Sequence, residues 1–474
     1  MWQPVLMICG YFVSVLGTAM FFPAVLDLYY KNNQWSIFVS SAVVAMFIGF
    51  SLFLSNRGKI KNLSIHQAYL LTALSWTMVG FLAALPFVFY GMSITDAIFE
   101  GFSGITTTGA TVAVDIEKLP ASILFWRAIL NGLGGVGIVI FATALLPFLG
   151  IGGMQLFQRE NSDVNEKFMP KISYMAKRII LVYVTLIGLC LAALKLAGMG
   201  WFDAVCHALS TVSTSGSSTR NLSIAAYNSA SIEWIVALFM FLGACPLAFF
   251  YNLASTRRFG QLRSGQVGTF IKILILYTLI MWGWLGFNGI YTPLDGLRYA
   301  TFTVISLTSS TGYASSAYLS WGSFAITAAL IFTLTGGCSG STSGSVKILR
   351  WQVIVALLKR AIVTTTQPNR MLPLKIGKIN VSSAAASSVV IFFVAYFFSI
   401  VILTALVSLC GVDFLTAFSA VINCITNVGC TLVGDFAYAD FSSVVKMILV
   451  FTMLLGRLEI MTVLVIFCKS FWQR

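Results

Sequence analysis

Ten apolar stretches divide this 474-residue chain, at about 6–27, 36–55, 67–90, 122–149, 178–197, 231–254, 269–290, 323–350, 383–409 and 443–468. Each is near the roughly 20 residues a helix needs to cross the hydrocarbon core of a bilayer. A backbone in lipid must satisfy its own hydrogen bonds, which leaves helices or closed barrels, and runs of this length are helical. With 58% hydrophobic and 9% charged residues, a soluble fold is excluded. The sequence describes an all-α polytopic membrane protein with about ten transmembrane helices. Its first stretch has no basic leader and reads as a retained helix rather than a cleaved signal.

Basic residues orient the chain, because Lys and Arg collect in short cytoplasmic loops. Segments 56–66, 150–178, 254–272, 347–378 and 469–474 hold 21 of the 29, and ten crossings place all five on one side. Both termini are therefore expected in the cytoplasm. The opposite loops carry acids, among them Asp115, Glu117, Asp435 and Asp440. The net charge of +14 follows from this topology and does not call for nucleic acid as a partner. The nine cysteines include no C-x-x-C pair, and no metal site is expected from them. Cys424 and Cys430 alone invite a disulfide, and small core residues are the simpler reading.

One short phrase recurs four times between the long apolar runs: Thr106-Thr107-Thr108-Gly109, Ser213-Thr214-Ser215-Gly216, Ser309-Ser310-Thr311-Gly312 and Thr426-Asn427-Val428-Gly429. Aligned on the glycines, Ser103, Ser210, Ser306 and Asn423 each stand six residues earlier. Any single copy is an ordinary helix C-cap with polar neighbours. Four copies, spaced by 107, 96 and 117 residues and all on the outer side, describe a repeated architecture. The segments before them are too short to span and open at Asp96, Asp203, Asp295 and Asp413, acceptable helix caps. They read as four half-helices entering from outside, with their C-terminal carbonyls, about −0.5 charge each, aimed at the midplane. Glycine lets backbone carbonyls approach one axis and replace the hydration shell of a monovalent cation. The residues expected to bind the ion are Thr107, Thr108 and Gly109; Thr214, Ser215 and Gly216; Ser310, Thr311 and Gly312; and Asn427, Val428 and Gly429.

These bends, the segment Trp126-Arg127 through Gly134-Gly135-Val136-Gly137, and Gly336-Gly337-Cys338-Ser339-Gly340-Ser341-Thr342 resemble the Trk/Ktr/HKT superfamily of potassium transporters over essentially the whole chain. The resemblance implies four non-identical helix–pore-loop–helix units around one pore. Two extra helices in 1–66 make the chain similar to the ten-helix TrkH type, with units at 67–150, 151–255, 256–352 and 353–474. It further implies a potassium preference wherever glycine ends all four filters, a homodimer, a TrkA-like cytosolic nucleotide-binding ring protein docked on the basic loops, and the bacterial inner membrane as location. No cofactor is expected beyond K+ as the permeating ion.

The run Gly336 to Ser345 interrupts the eighth apolar stretch with residues that do not continue a helix. It reads as a broken helix beneath the filter, where the resemblance implies an intramembrane gate, with Gly336, Gly337, Gly340 and Gly344 as its flexible points. Arg457 lies deep in the last stretch, where an arginine costs roughly 2.5–3.5 kcal/mol on insertion scales unless water or an anion receives it. It is expected to face the pore, and the resemblance implies a barrier to cations there. A structural charge, paired with a carboxylate elsewhere or bonded to carbonyls of the broken helix, is the alternative. Glu459, two positions on, is a poor direct partner on a continuous helix. Arg127 and Glu100 are expected to pair near the outer face.

Two motifs mislead. Gly132-x-Gly134-x-x-Gly137 matches a dinucleotide fingerprint but sits in a membrane helix, where glycine serves packing. Asn221-Leu222-Ser223 is formally a glycosylation sequon, without meaning in a bacterial chain. His66 and His207 read as packing or surface residues. The functional expectation is potassium uptake through one channel-like pore. Its alternative is a symporter driven by Na+ or H+. An intramembrane enzyme has no clustered catalytic set to support it.

Overall fold

The structure, a computed structural model, describes residues 2–58, 63–144, 168–256, 265–369, 373–377, 379–430 and 436–473. Residues 150–167 of the first large basic loop, 257–264 of the next, and Asp435 lie outside these residues. Among the described residues, seven spans are long and apolar enough to cross a membrane: Trp2–Tyr29, Trp35–Ser55, Ile65–Tyr90, Ala121–Phe141, Ala176–Leu196, Gln266–Phe287 and Ser383–Leu409. Their outward faces keep large apolar side chains such as Phe47 and Val401 exposed, 73% and 64%, as a lipid-facing surface requires.

The remaining three stretches are broken. The sixth bends by 92° between Ala230–Gly243 and Leu247–Leu253, and the tenth by 113° between Ser443–Arg457 and Ile460–Phe467. The eighth splits into Ser323–Leu334 and Ile348–Thr366, with irregular chain between them. Only this last break was expected; continuous crossings at 231–254 and 443–468 are corrected. Pro246 accounts for the first, because its ring clashes with the preceding turn and it has no N–H to donate. At the second, Glu459 takes φ +65° without being glycine, and its carboxylate is turned to the buried guanidinium of Arg350.

Four half-helices lie between these spans: Ile94–Ile105, Trp201–Val212, Pro293–Thr308 and Phe414–Ile425. Their starts differ from expectation, since only Asp413 caps with its own side chain, accepting from Leu415 N–H at 3.0 Å. Ser93 and Thr292 cap the first and third, and Asp96 and Asp295 sit in the first turn accepting their hydroxyls. Gly200 starts the second without a side-chain cap.

In the first, second and fourth units the inner helix that follows the half-helix, Ala121–Ala144, Ala230–Gly243 and Ser443–Arg457, also packs on the next unit's half-helix. Glu233, on the second inner helix, pairs at 3.1 Å with Arg298 of the third half-helix. Lys446, on the fourth, pairs at 2.6 Å with Asp96 of the first. That last contact closes the circle, so the four units surround one axis. The two N-terminal spans pack on each other through Gly10 and Gly49, where an added Cβ would stand 2.6 Å from the Gly49 carbonyl oxygen. A small hairpin pairs Lys375–Ile376 with Ile379–Asn380.

Candidate functional site

Each half-helix ends the same way. Thr107, Thr214, Ser310 and Asn427 adopt left-handed backbone, φ 52°, 55°, 57° and 55°. The next N–H of each repeat, from Thr108, Ser215, Thr311 and Val428, returns to the carbonyl of Ser103, Ser210, Ser306 and Asn423 at 2.9, 3.0, 2.9 and 3.0 Å. This is a Schellman closure, which satisfies the carbonyls orphaned at a helix end. Any residue could supply that carbonyl; the recurring serine hydroxyls bond the strand beyond, Ser103 Oγ to the Ala110 carbonyl at 2.5 Å, Ser306 Oγ to the Tyr313 carbonyl at 2.7 Å and Ser210 Oγ to Ser215 Oγ at 2.9 Å. Left-handed Thr is strained, whereas Asn tolerates the region, so the fourth copy, irregular in sequence, is regular in shape.

After one residue the backbone turns again, with φ 77°, 73°, 84° and 70° at Gly109, Gly216, Gly312 and Gly429. The three residues before each glycine are buried while the four glycines keep partial exposure, so each bend opens at its glycine. The repeats interlock in order. A Cβ on Gly109 would overlap the carbonyl oxygen of Ser215, one on Gly216 that of Thr311, one on Gly312 that of Val428, and one on Gly429 that of Thr108. All twelve expected filter residues thus lie in one closed ring.

Short hydroxyls brace the ring from behind. Thr106 bonds Thr108 at 2.8 Å and Ser309 bonds Thr311 at 2.7 Å, oxygen to oxygen. Asn427 Nδ2 donates to Thr108 Oγ1 at 2.9 Å and to the Met453 carbonyl at 3.0 Å, tying the last repeat to the first. Beneath, the inner helices press glycine on the half-helix ends: Gly134 meets the carbonyl of Ile105, Gly243 that of Val212 and Gly456 that of Ile425. The dinucleotide-like glycines therefore include a packing contact, as a membrane helix uses them.

The third unit places its broken segment here instead. Residues 336–346 are buried throughout. Thr342 Oγ1 donates to Val212 and Gly243 carbonyls at 2.9 and 3.0 Å. Ser310 Oγ bonds Ser343 Oγ at 3.2 Å and receives the Gly344 N–H. Cys338 N–H reaches the Ala244 carbonyl at 2.9 Å, at the bend of the second inner helix. Of the four glycines singled out, Gly340 has positive φ, 80°. Gly336, Gly337 and Gly344 are crowded by backbone, Gly337 by the Ala244 oxygen at 2.8 Å from an added Cβ.

Arg457 is buried and donates to the Thr342 carbonyl at 2.9 Å, with Nη2 3.5 Å from the Gly134 carbonyl. It joins the broken segment to the first inner helix, the structural arrangement that the sequence left open. Glu459 does not face it: the helix ends at Arg457, and Glu459 pairs with Arg350, whose guanidinium carbon lies 3.7 Å from the centre of the Phe392 ring. Lys347 Nζ donates to the Ser343 carbonyl. These groups line a narrow cavity with Ser341, Ser345 and Tyr396. Sequence reasoning did not single out Lys347 or Arg350, because 347–378 reads as a basic loop and nothing in it signals burial.

At the outer face the expected pair forms, Arg127 Nε to Glu100 Oε2 at 3.1 Å. Asn221 spans two units, accepting from Ile116 N–H at 2.8 Å and donating to Asp115 at 3.0 Å. Lys118 and Asn221 hold the Asp115 carboxyl below the usual carboxylate range. His207 is buried, and His66 packs beside Phe471.

Four pseudo-repeated units meeting in one ring of glycines and carbonyls define a multi-pass membrane protein of the cation-transport class. The family model described as TrkH, cation transport protein, matches residues 33–474. The Trk system potassium uptake protein TrkH of Halomonas elongata is 36% identical over 479 residues, covering 99% of each chain. The Escherichia coli K12 protein of the same name is 33% identical, with 98% of each covered. The crystal structure of the potassium transporter TrkH from Vibrio parahaemolyticus superposes with a TM-score of 0.94 at 31% identity, covering all of both chains. The chain belongs to the TrkH family.

Proposed function

We propose that this protein takes up potassium through a single channel-like pore. The observation that carries the reading is the closed ring in which each filter glycine lies against the carbonyl before the next one. Carbonyls of Thr108, Ser215, Thr311 and Val428, turned to the axis by the flanking left-handed residues, replace the water a bare K+ sheds. The four half-helix C-termini add favourable potential. The relatives named for potassium uptake support the choice of ion.

Beneath this filter, the segment holding Gly336, Gly337, Gly340 and Gly344, together with Arg457, is the gate. In the present arrangement Arg457 latches it through Thr342, and a guanidinium at that depth repels cations. Opening requires the segment to leave Val212, Gly243, Ser310 and Arg457 together. The site is the bacterial inner membrane with both termini cytoplasmic. The working assembly is a homodimer with a TrkA-like cytosolic nucleotide-binding ring protein on the basic face.

Reversal potentials of the purified protein in planar bilayers, with potassium on one side and sodium on the other, test this. A potential that follows the potassium gradient is expected. A potential that shifts with Na+ or H+ in fixed stoichiometry to K+ would establish the symporter instead.

A further inference from the structure

The four filter strands are not held alike on their outer side. Glu100 stands nine residues before Gly109, and His207 stands nine residues before Gly216. Both are buried, 2% and 0% exposed, on the back of their half-helices. Each meets the side chain two residues past its own glycine. The Thr111 hydroxyl donates to Glu100 Oε1, which also receives Val112 N–H at 2.8 Å. In the second repeat His207 Nε2 and Ser218 Oγ are 3.1 Å apart. His207 Nδ1 lies 2.8 Å from the Asp203 carbonyl, which only accepts, so Nδ1 carries the proton and Nε2 accepts the Ser218 hydroxyl. A carboxylate and an imidazole thus do one job across the same interval of 11 residues.

The other two repeats lack this bond by composition. The third has Thr303 at the half-helix position but Ala314, without a hydroxyl, past its glycine. Its strand is held instead by the Ser306 hydroxyl, donating to the Tyr313 carbonyl at 2.7 Å, and by the neighbouring unit, Ala314 receiving Ala225 N–H at 3.1 Å and donating to Ser223 Oγ at 3.3 Å. The fourth has Ala420, which has no polar group to offer. Arg127 fixes the first acceptor, and Arg220 N–H, donating to Ser218 Oγ at 2.9 Å, fixes the second donor.

We infer that Glu100 and His207 are positioning residues for ion discrimination: through the hydroxyls of Thr111 and Ser218 they set how far the first and second filter strands can relax around an ion. This rests on the filter reading above. A filter of carbonyls rejects a smaller cation only if its strands resist closing on it, and the side-chain bonds from Glu100 and His207 add to that resistance in the first and second strands.

The test is the K+/Na+ permeability ratio of the full-length protein in bilayers. Thr111→Val and Ser218→Ala each remove one donor with little change in volume, and each is expected to lower the ratio about five-fold, the effect of one hydrogen bond. Thr111→Ser and Ser218→Thr keep the hydroxyl and restore discrimination. Thr303→Val, in the repeat without the bond, keeps the wild-type ratio. A purely structural role would reduce flux of both ions together and leave the ratio fixed. Gly109→Ser separates the two levels of inference. If it lowers the ratio while Thr111→Val and Ser218→Ala do not, the positioning role is wrong and the filter stands. If none of the three changes it, the filter reading fails and this inference with it.

Discussion

Gly429 lies against the carbonyl oxygen of Thr108, so the last of the four bends closes on the first. This contact turns four sequence-distant glycines into one ring. At each of them a side chain meets two obstacles, an overlapping carbonyl and a left-handed backbone that costs an L-residue about 1–2 kcal/mol. Gly109→Ala, Gly216→Ala, Gly312→Ala and Gly429→Ala are each expected to cut potassium flux by about tenfold or more, measured as rubidium uptake into liposomes.

Glycine beneath the ring serves packing instead. A Cβ on Gly456 would strike the Ile425 carbonyl, and one on Gly134 that of Ile105. Overpacking of this kind costs about 1–3 kcal/mol. Gly456→Ala should lower the thermal unfolding midpoint in detergent. Gly188→Ala, at an open position on Phe168–Leu196, should leave it unchanged or raise it, since alanine favours helix by about 0.5–1 kcal/mol.

The buried Arg350–Glu459 pair accompanies the break that ends the last inner helix. Removing one partner of a buried pair costs about 3–5 kcal/mol, whereas an apolar replacement of both is often neutral. Glu459→Gln should therefore destabilise strongly. The double variant Arg350→Met with Glu459→Leu should lose less than Arg350→Met and Glu459→Leu lose singly, a coupling that thermal unfolding of the four proteins measures.

Thr342 carries several of the bonds that hold the broken segment. Thr342 Oγ1 donates to Val212 and Gly243, and the Thr342 carbonyl receives Arg457. If the segment gates, Thr342→Val, which removes one hydroxyl proton shared between two carbonyls at a cost of about 1 kcal/mol, shifts it toward the open arrangement by roughly fivefold. Basal potassium flux should rise accordingly. Arg457→Gln should raise it as well, and unchanged flux in both would argue that the segment is a fixed part of the fold.

Much of this was legible because bilayer length and glycine at a bend leave local marks. The apolar stretches, the four bends and the broken segment at Gly336 to Ser345 all carry such marks. The bend at Pro246 carried one too, yet a continuous apolar run concealed it. No local signal marks the break at Glu459, since it depends on Arg350, 109 residues away. The bond of His207 to Ser218 gave no sign for the same reason, since it crosses a bend whose geometry a sequence does not display. Asn221 resembled a modification site, and its contacts to Asp115 and Ile116 come from the neighbouring unit.

The most direct measurement is anomalous diffraction from crystals of this protein soaked in a rubidium or thallium salt. Peaks on the axis ringed by the carbonyls of Thr108, Ser215, Thr311 and Val428 are the expected result. Crystals that diffract well and show the heavy cation only elsewhere, from protein that still carries flux, would contradict the assignment of those four bends as the filter.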